Sequence, residues 1–261
     1  MAVLNVHEYG NRDGAPLLAV HGITAHGGRF RRLAEEAWPQ RRTIAVDLRG
    51  HGRSTNSAPW SIEQLVQDLV DTLDALGLDA LDVVGHSYGG AIGLRLLATH
   101  PERVARFVML DPALAQSAEF ADTEAFATME HPGWGSVEEA TVARNAGLGD
   151  TINPAVVEDV AEHLQLGADG RYRFRFHRPA VVTGWGEMTH PLPAVLAPRS
   201  TLLVVAERAE LVSDATVDHL RALLGGQLCV VRIDCGHMLY WECFDETATA
   251  VTSFFAATDP R

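Results

Sequence analysis

A serine between two glycines is the first chemistry-bearing feature of this chain: Gly85-His86-Ser87-Tyr88-Gly89 has the spacing G-x-S-x-G. The residues before it, Leu81-Asp82-Val83-Val84, read as a buried strand. Those after it, Gly89 to His100, read as a helix that is apolar nearly all round and stopped by Pro101. Strand, sharp turn and helix in that order lift the Ser87 hydroxyl above a sheet and set it at a helix N-terminus. Free N–H groups and the helix dipole favour negative charge there. The backbone N–H of Tyr88, the residue after the serine, is then one donor to an oxyanion. The flanking glycines spare the turn a clash between a Cβ and neighbouring backbone. A glycine-rich turn with an idle serine is the plain alternative, and the strand and helix on either side weigh against it.

A serine hydroxyl is a weak nucleophile until a base takes its proton. Twelve histidines are present, so residue type alone selects none of them. His86 points into the turn and reads as structural. His100 ends a helix, where a cation suits the dipole. Cys235 and His237 flank one glycine, but neither C-x-x-C nor H-x-x-x-H spacing is present, so Cys229, Cys235 and Cys243 read as buried free thiols rather than metal ligands.

The elements that must position this chemistry alternate between short apolar runs and helical patterns. Leu17–Val20, Thr43–Val46, Leu81–Val84, Phe107–Leu110, Leu202–Val205 and Leu228–Val231 read as strands buried on both faces. Ser61 to Leu76 carries apolar residues at helical spacing, with Ser61 as N-cap and Gly77 as stop. The fold class expected is α/β, a mostly parallel central sheet with helices on both faces. The rhythm breaks between Pro112 and Pro198, where amphipathic pieces such as Pro154–Leu166 stand among Gly, Pro and aromatic residues. This divides the chain into a core of 1–111 and 199–261 and a helical cap of 112–198.

Four motifs then fall in one order. His21-Gly22 follows the first clear strand; Asp47-Leu48-Arg49-Gly50-His51-Gly52-Arg53-Ser54 reads D-x-R-G-x-G-x-S; the serine turn is third; and Gly236-His237 precedes Glu242 as G-H-x-x-x-x-E. The chain resembles the α/β-hydrolase superfamily over nearly its whole length, least so in the cap. That resemblance implies a nucleophile elbow at Ser87, a general base at His237, a second oxyanion donor in the Ile23 N–H, and a cap inserted after the sixth strand. His21 would lie near the oxyanion hole or simply pack, and His51 would belong to a structural turn.

The acid of the triad departs from the family pattern. An Asp is usual after the strand that precedes the last one, yet the matching stretch is Ala206-Glu207-Arg208-Ala209-Glu210, with Ala209 at the expected position. Asp111, at the end of Leu110-Asp111-Pro112, is the first choice, because some family members carry their acid at that strand end. Glu210 is the second, and an acid missing because Ala209 replaces it is the third. Glu207 reads as a support of its loop or a partner of Arg208.

Phe126, Met129, Trp134, Trp185 and Met188 are the bulky apolar candidates for the roof of a pocket. Arg171, Arg173, Arg175 and Arg178 alternate with aromatics, as on an amphipathic extended segment; a solvated face is the plain reading and a grip on a substrate carboxylate the sharper one.

The charge of −13, with arginine as the sole strongly basic residue type, disfavours a nucleic-acid partner. No apolar run reaches the ~20 residues a membrane span needs, and Met1–Glu8 lacks the basic and apolar regions of a signal peptide. A cytoplasmic enzyme acting on a small, partly apolar molecule, with no metal or organic cofactor, is expected. The reaction expected is cleavage of a carboxylic ester, lactone or thioester through an acyl-enzyme. A carbon–carbon bond hydrolase or lyase on the same scaffold, or a non-catalytic ligand receptor, are the rivals. Oligomeric state is not legible.

Overall fold

A computed structural model describes residues 3–257. Met1, Ala2 and the last four residues, which the readings above include, lie outside them.

The chain opens with β1 (Asn5–Gly10), β2 (Pro16–Val20) and β3 (Arg42–Asp47). Then α1 (Ile62–Ala75), β4 (Leu81–His86), α2 (Tyr88–Thr99) and β5 (Val104–Leu110) alternate. Next come α3 (Ala118–Glu130), α4 (Val137–Arg144), α5 (Pro154–His163), the short strands β6 (Leu164–Leu166) and β7 (Tyr172–Phe174), and α6 (Arg178–Glu187). The chain returns through β8 (Thr201–Ala206), α7 (Asp214–Leu224), β9 (Leu228–Ile233), α8 (Leu239–Glu242) and α9 (Phe244–Ala257).

Seven strands form one sheet in the order β1-β3-β2-β4-β5-β8-β9, parallel except for β1, which runs antiparallel along β3. All six expected strands are present. β1 has no apolar run and is half-exposed, because an edge strand needs one buried face at most. β4 and β8 are buried at every residue, as strands covered by helices on both faces must be. In α1 the Ser61 hydroxyl accepts from the Gln64 N–H and Gly77 follows the stop at φ 68°, as the cap reading required. Nine of the twelve residues of α2 are buried, which makes it the central helix.

The helical insertion follows β5, the fifth strand along this chain. It also contains the hairpin of β6 and β7, which the search for apolar runs missed: three-residue strands leave too little pattern to read. The helix from Pro154 accordingly stops at His163, and Leu164–Leu166 turns into β6. The extended reading of the arginine-aromatic stretch holds over Tyr172–Phe174.

Helix α6 seats the insertion on the sheet. A Cβ on Gly50 would fall 2.3 Å from the Ala180 Cβ, and one on Gly184 would fall 2.9 Å from the Ile23 Cδ1. Two glycines therefore let α6 approach both the Asp47–Ser54 loop and the turn after β2. Asp47 ties that loop to β1 and to the turn, accepting from the N–H groups of Gly27 at 2.8 Å and Arg53 at 2.9 Å. Burial would raise its pKa, but the hydrogen bonds from His7, Arg53 and Gly27 outweigh it and hold the carboxyl well below the usual range. Arg49 closes the loop onto α1 through a buried two-pronged pair with Asp68, at 2.6 and 2.7 Å.

Candidate active site

Ser87 lies between β4 and α2 at φ 54°, ψ −120°, a conformation an L-residue adopts only when its surroundings impose it. The neighbouring backbone does so here. A Cβ at Gly85 would fall 2.3 Å from the Gly89 carbonyl oxygen, and one at Gly89 would fall 2.0 Å from that of Val20. Both glycines of G-x-S-x-G are thus required by contact. Gly22 packs as closely, its hypothetical Cβ 2.9 Å from the Ser87 Cβ, so the turn after β2 runs directly beside the serine.

That turn presents Ile23. Its N–H donates to no hydrogen bond found among the described residues. Tyr88 is the first residue of α2, where an N–H has no partner within the helix. Its ring is buried below α6, and burial pushes the phenol pKa far up, so it is neutral.

His237 follows β9. Its Nδ1 lies 2.6 Å from Asp111 Oδ2, and Asp111 is fully buried at the end of β5, at φ 41°. The second Asp111 oxygen accepts from the Ala206 N–H at 3.1 Å. The imidazole keeps 37% of its side chain exposed, and Nδ1 is the ring nitrogen bound to Asp111. Glu210 stands apart from this pair: it is exposed, in the left-handed region at φ 52°. Glu207 is exposed as well, and Arg208 pairs with Asp234 and Glu242 rather than with Glu207. Glu242 also accepts from the Gly236 N–H at 3.1 Å, which fixes the histidine loop.

Ser87 and His237 line one cavity of about 360 Å³ together with Gly22, Ile23, Phe120, Trp185 and Ala209. A serine hydroxyl, an imidazole backed by a buried carboxylate and two free backbone donors form a set able to transfer an acyl group.

Relatives of known name share this arrangement of elements. A family model described as alpha/beta hydrolase fold matches residues 15–148. Lipase LipV of Mycobacterium tuberculosis (strain ATCC 25618 / H37Rv) is 36% identical over 96% of this chain and 97% of its own length. The chain belongs to the α/β hydrolase fold family. Within that family, a 2-hydroxymuconate semialdehyde hydrolase of Pseudomonas sp. (strain CF600) is 38% identical over 42% of this chain and 40% of its own. The crystal structure of E-2-(acetamidomethylene)succinate hydrolase superposes with a TM-score of 0.86, at 24% identity, over 97% of this chain and 95% of that one.

Other expectations drawn from this α/β hydrolase sequence fare unevenly. His86 is buried and its Nε2 lies 2.9 Å from the His237 carbonyl oxygen; burial, with the neighbouring His237, pushes its pKa well down, so the neutral ring donates through Nε2. His21 is buried outside the cavity and accepts the Leu48 N–H on Nε2 at 3.0 Å, a packing role. Of the five proposed roof residues only Trp185 lines the cavity. Phe126 and Met129 are half or more exposed, Met188 is buried elsewhere, and Trp134 lines an adjoining cavity. A helix with a weak apolar stripe hides which of its large residues face inward, so Phe120 was missed. Arg171, Arg173 and Arg178 satisfy the insertion itself, on the Gly133 carbonyl, Asp169 and the His131 carbonyl. Arg171, Arg173, Arg175 and Arg178 all stand outside the Ser87 cavity. Cys235 is buried as expected, but Cys243 is only half-buried and Cys229 is exposed on β9, an edge strand with one side uncovered by a neighbour. Arg29, Glu124 and Arg144, which also line the cavity, had no signal in the sequence.

Proposed function

We propose that this chain hydrolyses carboxylic esters, or close relatives such as lactones and thioesters, through an acyl-enzyme on Ser87. The carrying observation is the meeting of Ser87 and His237 in one cavity, with Asp111 2.6 Å behind the imidazole. Ser87 Oγ attacks the carbonyl carbon while His237 Nε2 takes the hydroxyl proton. The N–H groups of Ile23 and Tyr88 stabilise the oxyanion. His237 passes its proton to the leaving alcohol, and water activated by the same ring releases the acid. Asp111 holds the ring in the tautomer that keeps Nε2 free and stabilises the imidazolium. Residues 112–198 act as the lid that shapes the pocket over the core of 1–111 and 199–261. The lipase name of the full-length relative supports this reading.

The test is hydrolysis of p-nitrophenyl esters from acetyl to decanoyl, with fluorophosphonate labelling alongside. The parent protein is expected to turn over and to label, and Ser87→Ala to do neither. A parent that does neither ends the esterase reading and favours a receptor.

A carbon–carbon bond hydrolase is the second reading, supported by the partial match to the 2-hydroxymuconate semialdehyde hydrolase. Product analysis on a vinylogous diketone against a simple ester separates the two.

A further inference from the structure

The Ser87 cavity is lined by two arginines, one of which the protein leaves short of hydrogen-bond partners. Arg29, in the turn after β2, places Nε 2.7 Å from Asp159 Oδ1 and Nη2 2.9 Å from Oδ2. His26 adds a bond from Nε2 to Oδ1 at 2.9 Å. The single buried carboxylate of α5 is thereby matched by one guanidinium in a two-pronged pair. Arg144, the last residue of α4, also reaches it, with Nε 3.3 Å from Oδ2, yet that Nε makes no hydrogen bond. Its ring partner is Phe174, 3.7 Å below the guanidinium carbon. Two arginines thus share one acid, and both line the cavity of Ser87. Burial and the neighbouring Arg29 charge push the Arg144 pKa down to about 9, and Asp159 offsets them only in part.

The position of Arg144 is specific. Its Nη2 approaches the Thr24 carbonyl oxygen at 3.5 Å, one residue beyond Ile23. The guanidinium therefore stands beside the turn proposed to bind the oxyanion, at the wall between the Ser87 cavity and an adjoining one of about 320 Å³, lined by Trp134, Phe174 and Phe176. Glu124, on α3, is the acid that lines the Ser87 cavity with no ion pair of its own among the described residues.

We propose that Arg144 is a substrate-binding residue that takes a carboxylate, so that the preferred substrate is an ester carrying a second, free carboxylate a few atoms from its scissile carbonyl, as in a monoester of a short dicarboxylic acid. The incoming carboxylate would supply the hydrogen-bond acceptor that the protein leaves missing at the Arg144 Nε. The turnover part of this proposal rests on Ser87 as nucleophile; the binding part does not.

Two measurements keep those parts separate. The first is thermal stabilisation of Ser87→Ala protein by succinate and by glutarate, with succinamide as the neutral control. Both diacids are expected to raise Tm, succinamide to leave it unmoved, Arg144→Gln added to Ser87→Ala to abolish the shift, and Arg221→Gln, on the surface of α7, to retain it. Arg144→Lys, which keeps the charge without the planar fork, is expected to retain a weakened shift and serves if the glutamine variant fails to fold. The second is the ratio of kcat/KM for a p-nitrophenyl hemiester of glutaric acid to that for a neutral ester of equal length. Arg144→Gln is expected to lower this ratio by about tenfold to a hundredfold. No Tm shift with either diacid overturns the proposal, as does a shift that survives Arg144→Gln. So does an equal loss on charged and neutral esters, which would assign Arg144 to general electrostatics. Diacid binding that depends on Arg144, in a protein inert on all esters, upholds the carboxylate site and overturns the esterase reading instead.

Discussion

His237 Nδ1 stands 2.6 Å from Asp111 Oδ2, and the opposite oxygen of the same carboxylate is held by the Ala206 N–H at 3.1 Å. A fully buried carboxylate fixed at both oxygens has no freedom to rotate away from the ring. Asp111→Asn presents an amide that can place an N–H against Nδ1 and select the wrong tautomer. The expected result is a fall in kcat of about 10⁴-fold on p-nitrophenyl esters, the loss typical when a triad carboxylate becomes an amide. Glu210→Gln, at an exposed site, is expected to keep the parent rate. The reverse pattern would move the acid to Glu210.

His86 acts on the backbone of His237 rather than on the substrate side of the ring, through its bond to the carbonyl oxygen at 2.9 Å. The Tyr240 hydroxyl, 3.4 Å from its Nδ1, sets the other edge. His86→Phe removes the donor and frees the loop by a fraction of an ångström. A misplacement of about 1 Å can cost 10²-fold in rate, so a fall of roughly tenfold in kcat with little change in KM is expected. A change confined to KM would show that His86 touches substrate instead.

The parts of this site that were legible in the sequence are those built from backbone necessity. Gly85, Gly89 and Gly22 have no room for a Cβ, so the turns around Ser87 carry a readable spacing. Five of the six expected strands announced themselves because they are largely covered on both faces; β9, at the sheet edge, showed through its apolar run although Cys229 and Arg232 face solvent. Asp111 could be placed only as one option of three, since the choice depends on which strand end faces His237. That is a property of the sheet order β5-β8-β9, in which the two strands flanking β8 bring their ends to a common edge. Arg144 was invisible for a different reason. A lone arginine at the end of the helix Val137–Arg144 reads as a solvated C-terminal cation, and only the approach of α5 and the β2 turn makes it a buried one. Arg171, Arg173 and Arg178 drew attention by their alternation with aromatics and are satisfied locally.

Two glycine substitutions should differ sharply in cost. At Gly184 an added Cβ meets the Ile23 Cδ1 at 2.9 Å, the far end of a side chain that can turn aside. Alanine there gains up to about 1 kcal/mol of helix propensity, so Gly184→Ala is expected to fold with near-parent Tm and to lose activity only through the shifted Ile23. At Gly89 the Cβ would stand 2.0 Å from the Val20 carbonyl oxygen, which is backbone of the sheet. Gly89→Ala is expected to lose several kcal/mol, on the order of the largest single-residue effects, and to express poorly. Thermal melts of the two variants check this, and equal Tm values would contradict the geometry.

Buried histidines should set the stability of this protein in mild acid. His21, His51, His86 and His163 all have pKa values pushed down, burial being the largest cause for each, and His51 is lowered to about 4. The histidine of an unfolded chain titrates near about 6.5. Between those values the unfolded chain binds a proton that the folded one refuses, so stability falls as the pH falls. The slope is about 1.4 kcal/mol per pH unit for each such group, and His51 alone removes about 2 kcal/mol between roughly pH 6.5 and 5. Asp47 acts in a separate window: its carboxyl is held low, so its contribution persists above about pH 4 and is lost only below it. His51 is the group to vary, because its Nε2 has no hydrogen-bond partner and its ring packs beside Phe176. Phenylalanine there forfeits the bond from Nδ1 to the Arg49 carbonyl, 3.2 Å long, but cannot titrate. Tm measured from pH 7 to 4.5 is expected to decline steeply for the parent and less steeply, by about one proton, for His51→Phe. A parent whose Tm is flat across that range would mean that these rings are solvated or protonated in the folded protein.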